Sequence, residues 1–190
     1  MSLTQYSAAT SLDGFIADEN DSLDWLFAVA TTGDEDRFAP FLTEVGALAM
    51  GAATYRWVLR AEGVLEAPEK WKDWYGERPC WVFTHQDLPT IPGANIQFVH
   101  GDVRPVHATM SDAAGQKNIW LVGGGNLVGQ FVDHGLVDEV ILGYAPVTLG
   151  AGAQVLPRRL TTDLDLQEAV IVNAAFVEVR YRIKRRSGDS

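Results

Sequence analysis

The sequence predicts an α/β fold: a mainly parallel, twisted sheet with helices on both faces and an antiparallel hairpin at its C-terminal end. Three observations carry this. Apolar runs of strand length alternate with helix-like stretches over most of the chain, the pattern of parallel strands joined by crossover helices. The last two runs, "LQEAVIVNA" and "FVEVRYRIK", follow one another with no helix between them and so pair antiparallel. At residues 121–131, "LVGGGNLVGQF" joins an apolar run to an amphipathic stretch through three consecutive glycines. The 190 residues, 47% of them apolar, suffice for one core and are short for two. With no repeat or low-complexity linker, a single domain over residues 1–190 is expected.

The elements follow in order. "QYSAATSL" has strand character and ends at the turn pair Asp13-Gly14, in which an aspartate commonly caps its own backbone. A polar loop, "ADENDSLDW", leads to "DEDRFAPFLTEV", whose acidic start suits a helix N-terminus provided that Pro40 sits early. "GALAMG" reads as a buried strand and "AATYRWVLR" as the helix after it. A polar connection over residues 61–79 holds Trp71, Trp74 and Tyr75, with one short helix after Pro68. These rings either fill the core or wall a pocket, and core packing is the default expectation.

"CWVFT" and "NIQFVHG" are strands on either side of the turn "PTIPGA". "VRPVHATMSDAAGQ" is a helix, "NIWLVG" a strand, and "GNLVGQFVDHG" a helix closing at Gly135. "VDEVILGYAPV" is the last strand before a Gly-rich loop and the hairpin.

Composition excludes several classes. A formal charge of −10 argues against a nucleic-acid partner, which needs a basic face. The basic "RIKRR" (residues 182–186) reads as a solubilising chain end. The single cysteine, Cys80, excludes an internal disulfide and a cysteine metal cluster, and its place in "CWVFT" suits a small buried hydrophobe. No metal site is expected. No apolar stretch reaches the ~18 residues of a membrane span and the start lacks a signal-peptide pattern, so a cytoplasmic location is expected.

The triple glycine is the strongest functional signal. A flexible linker lies in polar sequence, whereas Gly123, Gly124 and Gly125 lie between "NIWLV" and "NLVGQFV", both strongly patterned. The position is a strand-to-helix turn, where unpaired N–H groups and the helix dipole favour an anion. Two readings stand: an anion cradle that needs a bare backbone, or a tight turn that packs the helix onto the sheet. Neither a GxGxxG fingerprint nor a P-loop is present, since Val128 takes the third glycine position and no Lys-Ser or Lys-Thr follows.

"IWLVGGGNLVGQF" resembles the glycine turn of dihydrofolate reductases, where the pyrophosphate of NADPH rests. "AATSLDGFIADEN" is similar to the first strand and following loop of that fold, and "MGAATY" to its second nucleotide-contacting turn. "TSLDGFIA", "GLVDEV" and "PVTLGAG" resemble the reductase domain of riboflavin biosynthesis, which shares the dihydrofolate reductase fold. The resemblance implies a three-layer dihydrofolate reductase-like architecture, NADPH as cofactor, and a homodimer.

It also implies site residues. The first-strand backbone at Ala9 would meet the nicotinamide amide, with Ile16 and Ala17 packing on the nicotinamide and its ribose. Gly51, Ala52, Ala53 and Thr54 would open a helix against the phosphates, and Gly123, Gly124, Gly125, Asn126 and Leu127 would form the pyrophosphate turn. Thr84 and His85 would end a strand where the family grips the adenosine 2′-phosphate. Folate enzymes place a carboxylate five residues after a tryptophan. Five beyond Trp25 lies Ala30, so Asp24 is the candidate catalytic acid, with Asp34, Glu35 and Asp36 further on. The phosphate-binding histidine and arginine of the riboflavin-type first helix are not reproduced in "DRFAPFLTEV".

The activity so implied is NADPH-dependent hydride transfer to a small heterocyclic or ribosylaminopyrimidine substrate. The alternatives are a true dihydrofolate reductase and, from another class, a non-catalytic NADP(H)-binding protein.

Overall fold

The structure is a computed structural model that describes residues 2–33 and 36–184. Asp34 and Glu35, and Arg185 and Arg186 of the basic tail, lie outside the described residues. An eight-stranded sheet runs through the molecule in the order β5-β4-β3-β6-β1-β7-β10-β9. Its central strands are β1 (Thr4–Ser11), β3 (Val45–Gly51), β6 (Asn118–Gly123) and β7 (Glu139–Ala145). With β4 (Cys80–Phe83) and β5 (Ile96–Val99) they form one parallel array. The hairpin of β9 (Leu164–Val172) and β10 (Phe176–Ile183) adds antiparallel to β7 at one edge, as the alternation in those runs requires. It turns through Asn173 and Ala174, both at positive φ (51° and 54°), a backbone hand that matches strand twist.

Two core layers cover the sheet. On one face α5 (Val103–Ala114) and α6 (Gly125–Asp133) bury Met110, Val128 and Phe131 against Tyr6, Leu121 and Leu142. The spacing of Leu127, Val128 and Phe131 puts them on one stripe of α6, and each large apolar side chain so buried contributes roughly 1.5–3 kcal/mol. On the other face α3 (Ala52–Glu62) and α4 (Glu69–Tyr75) cover Leu48, Met50, Cys80 and Trp120 with Tyr55 and Trp71. Cys80 is fully buried, and burial pushes its thiol up from the ordinary range, as expected of an inert apolar filler.

Local signals worked where the chain supplies its own caps. Asp102 accepts the Arg104 amide at 2.9 Å and starts α5. Gly135, at φ 65°, ends α6 by donating its amide to Val132. The helix expected over residues 34–45 is shorter, α2 (Phe38–Thr43). Asp36 Oδ1 accepts the amides of Phe38 and Ala39 and so sets its start, and Pro40 falls in the first turn, where no N–H is missed. Two features were not anticipated: the single-turn α1 (Asp24–Phe27), and a two-stranded ribbon of β2 (Phe15–Ala17) and β8 (Ala153–Gln154). No helix among the described residues is long and apolar enough to cross a membrane.

Candidate functional site

The carboxyl ends of β3 and β6 are neighbours in the sheet, with Met50 in register with Gly123. Each strand runs directly into a helix, α3 after Gly51 and α6 after Gly124, and both glycines are extended (φ −83° and −82°). No side chain among the described residues caps either helix, in contrast to α5. Two helix N-termini therefore present backbone N–H groups side by side. They open into a cavity of about 1000 Å³.

The three glycines meet three different demands. Gly123 has φ 146°, a conformation in which any other residue is strained, and its peptide bond to Gly124 is cis. Gly124 borders the cavity, where a β-carbon would meet Ile16 Cδ1 at 3.9 Å and nothing closer. At Gly125 a β-carbon would collide with the Gln154 carbonyl and lie 2.7 Å from the Val155 carbonyl oxygen. The two readings of the turn therefore divide between residues: Gly125 packs the helix, and Gly124 keeps the cavity wall bare.

The loop that crowds Gly125 is itself fixed. The Tyr6 hydroxyl donates to the Val155 carbonyl at 2.8 Å. Asp13 accepts from Ser11 Oγ (2.6 Å) and from the amides of Leu149 and Gly150 (3.1 and 2.7 Å). These bonds, the Ser11 hydroxyl foremost, hold its carboxyl down at about 2. Asp13 thus works structurally, but it ties its turn to a distant loop rather than only capping its own backbone.

The expected cofactor residues converge. Ala9, Ile16 and Ala17 line the same cavity as Gly51, Ala52, Ala53 and Thr54, and as Gly123 through Leu127. Thr84 and His85 do not line it. Thr84 Oγ1 accepts the Gln86 amide at 2.9 Å, and exposed His85 lies with its ring centroid 5.7 Å from that of His100. Asp24 is exposed on α1 and also absent from the wall; among the described residues the carboxylate that borders the cavity is Asp21, in the preceding turn at φ 56°. Asp36 is spent capping α2.

Of the aromatic wall, the sequence offered Trp74 and Tyr75 only as an alternative to core packing and did not point to Phe27, Phe38, Trp57 or Trp120. Phe27, Phe38, Trp57, Trp74, Tyr75 and Trp120 line the same cavity as the glycines. They come from α1, α2, α3, α4 and β6, and only the fold brings them together. Of the tryptophans in the 61–79 connection, Trp71 is core and Trp74 faces the cavity.

Fold and site together define a dihydrofolate reductase-type α/β protein whose cleft lies over the carboxyl ends of parallel strands. A dihydrofolate reductase of Enterococcus faecalis, solved in complex with NADP(H), superimposes with a TM-score of 0.59 at 13% identity, covering 96% of this chain and 97% of that one. Within that architecture the chain belongs to the RibD C-terminal domain family, whose model matches residues 64–180. It is 32% identical to the uncharacterized protein YwjB of Bacillus subtilis (strain 168) over 144 residues, 76% of each chain. A structure described as a candidate riboflavin biosynthesis protein of Shewanella sp. PV-4 matches with a TM-score of 0.77 at 26% identity, covering 96% of this chain and 99% of that one.

Proposed function

We propose that this protein is an NADPH-dependent reductase that delivers hydride to a small heterocyclic or ribosylaminopyrimidine-type acceptor. The observation that carries the reading is the pair of uncapped helix N-termini, α3 and α6, meeting at Gly51 and Gly124 over one cavity. A bare backbone at Gly124 suits a pyrophosphate, because a side chain there would project into the space an anion needs.

Gly51–Thr54 and Gly123–Leu127 would hold the phosphates, with Thr54 offering a hydroxyl. Ala9, Ile16 and Ala17 would bound the nicotinamide. When bound, the reduced nicotinamide supplies the hydride. The protein's own part is to hold the acceptor against it in an apolar space from which water is displaced. Asp21 is the carboxylate at the cavity among the described residues, and a proton for the acceptor can come from there or from water. Titration calorimetry with NADPH tests the reading first: saturable one-site binding is expected. Oxidation of NADPH when an acceptor is added tests the chemistry.

We also propose a homodimer. Leu164, Leu166, Ile171 and Val177 are exposed on one face of the terminal hairpin, where Ile171 is paired with Val177. Val179 and Ile183 of the same face run into the core. This apolar surface continues the core beyond the reach of α5 and α6, and a second copy of the same hairpin would cover it.

A further inference from the structure

The aromatic part of the cavity wall has a chemistry of its own. Phe27, Phe38, Trp57, Trp74, Tyr75 and Trp120 line it, and three of them are exposed to an extent unusual for large apolar side chains: Phe27 at 64%, Trp74 at 45% and Phe38 at 40%. Exposed rings that line one cavity are the mark of a ligand surface rather than of a core. The Phe27 and Trp57 rings lie nearly parallel (11°, centroids 6.2 Å apart), and Phe38 and Phe41 each stand roughly perpendicular to Trp120 with centroids 5.5 Å away. Several of the rings are thus packed against one another.

Charge sharpens the reading. Among the described residues that line the cavity there is no lysine, arginine or histidine, and the single charged side chain is that of Asp21. An anionic group placed against this wall would lose its hydration without a cation to replace it, in a cavity whose one charged lining residue is itself an acid. A planar, uncharged ring system would instead exchange water for aromatic faces.

We infer that the acceptor bound against these rings is a planar conjugated ring compound that carries no phosphate or carboxylate. The inference rests on the reductase reading above and narrows it to unphosphorylated acceptors. In the reaction, a C=N or C=O carbon of the ring compound gains a C–H bond and its π electrons move to the heteroatom. The heteroatom takes a proton from water, and the reduced nicotinamide is oxidised.

Two matched probe pairs test this by fluorescence anisotropy on the whole chain: pterin against pterin-6-carboxylate, and riboflavin against its 5′-phosphate. The expected result is saturable binding of a neutral member at least tenfold tighter than its anionic partner. Phe27→Ala and Trp74→Ala, both at exposed positions, weaken it fivefold or more, while NADPH binding by calorimetry is unchanged. Trp74→Arg narrows the gap between riboflavin and its phosphate. Equal or tighter binding of the anions, no binding of either neutral probe, or indifference to both alanine variants overturns the inference. Failure of NADPH to bind while a neutral probe still binds would overturn the reductase reading and leave the aromatic site standing.

Discussion

Gly51 and Gly124 face each other across the two strand-to-helix turns: a β-carbon on Gly51 would lie 3.6 Å from the Gly124 amide nitrogen. Residues 73 positions apart in the chain thereby bring two helix N-termini to a single point. The contact exists because β3 and β6 are adjacent and parallel, so both helices begin at the same end of the sheet. The first prediction follows from it.

Gly124→Val should abolish NADPH binding with little change in thermal stability. Its φ of −82° suits any residue, and the added carbons enter the cavity beside Ile16. Gly125→Ala should do the reverse. The new methyl meets the Gln154 and Val155 carbonyls, and overpacking of this kind costs about 1–3 kcal/mol. Calorimetric titration beside thermal melting separates the two. If Gly124→Val binds normally, the turn serves packing alone.

His85→Ala should leave NADPH affinity within twofold of the parent. The ring is exposed, keeps company with His100, and does not line the cavity. A tenfold loss for NADPH without a matching loss for NADH would restore the 2′-phosphate role that the family resemblance implies.

Asp13 predicts an acid dependence of stability. Its folded carboxyl is held at about 2, below the ordinary value of about 4, by hydrogen bonds from Ser11, Gly150 and Leu149. A depressed acid contributes fully above its unfolded value, and that contribution fades as pH falls from about 4 to about 2. Urea midpoints should therefore drop over this window more steeply for the parent than for Asp13→Asn. Parallel curves for the two would remove Asp13 from the loop's support.

Ile171→Lys should yield a monomer that melts as a folded protein. Ile171 is 72% exposed, so the charge costs the isolated fold little, but it would be buried against a second hairpin. Light scattering at micromolar concentration reads the outcome. A parent that is already monomeric would end the homodimer proposal.

Much of this was legible in the residues themselves. The order of strands and helices follows from apolar spacing, and "LVGGGNLVGQF" and "MGAATY" marked the two turns because glycine at a strand-to-helix junction is a local backbone demand. Start and stop signals at Asp102 and Gly135 are local as well. Most of the aromatic wall of the cavity was not legible. Phe27, Phe38, Trp57, Trp74 and Trp120 sit in five separate elements, and the sequence around Trp71 does not differ in kind from that around Trp74. Which ring fills the core and which faces the cavity depends on how α4 lies on the sheet. The same is true of Asp24 and Asp21, three positions apart, where only the path of the chain into α1 decides which carboxylate meets the cavity. Hydrogen bonds within a turn or helix are set by neighbours in sequence, so the turns could be read directly. The meeting of distant side chains is set by packing across the sheet, and only the tertiary structure decided it.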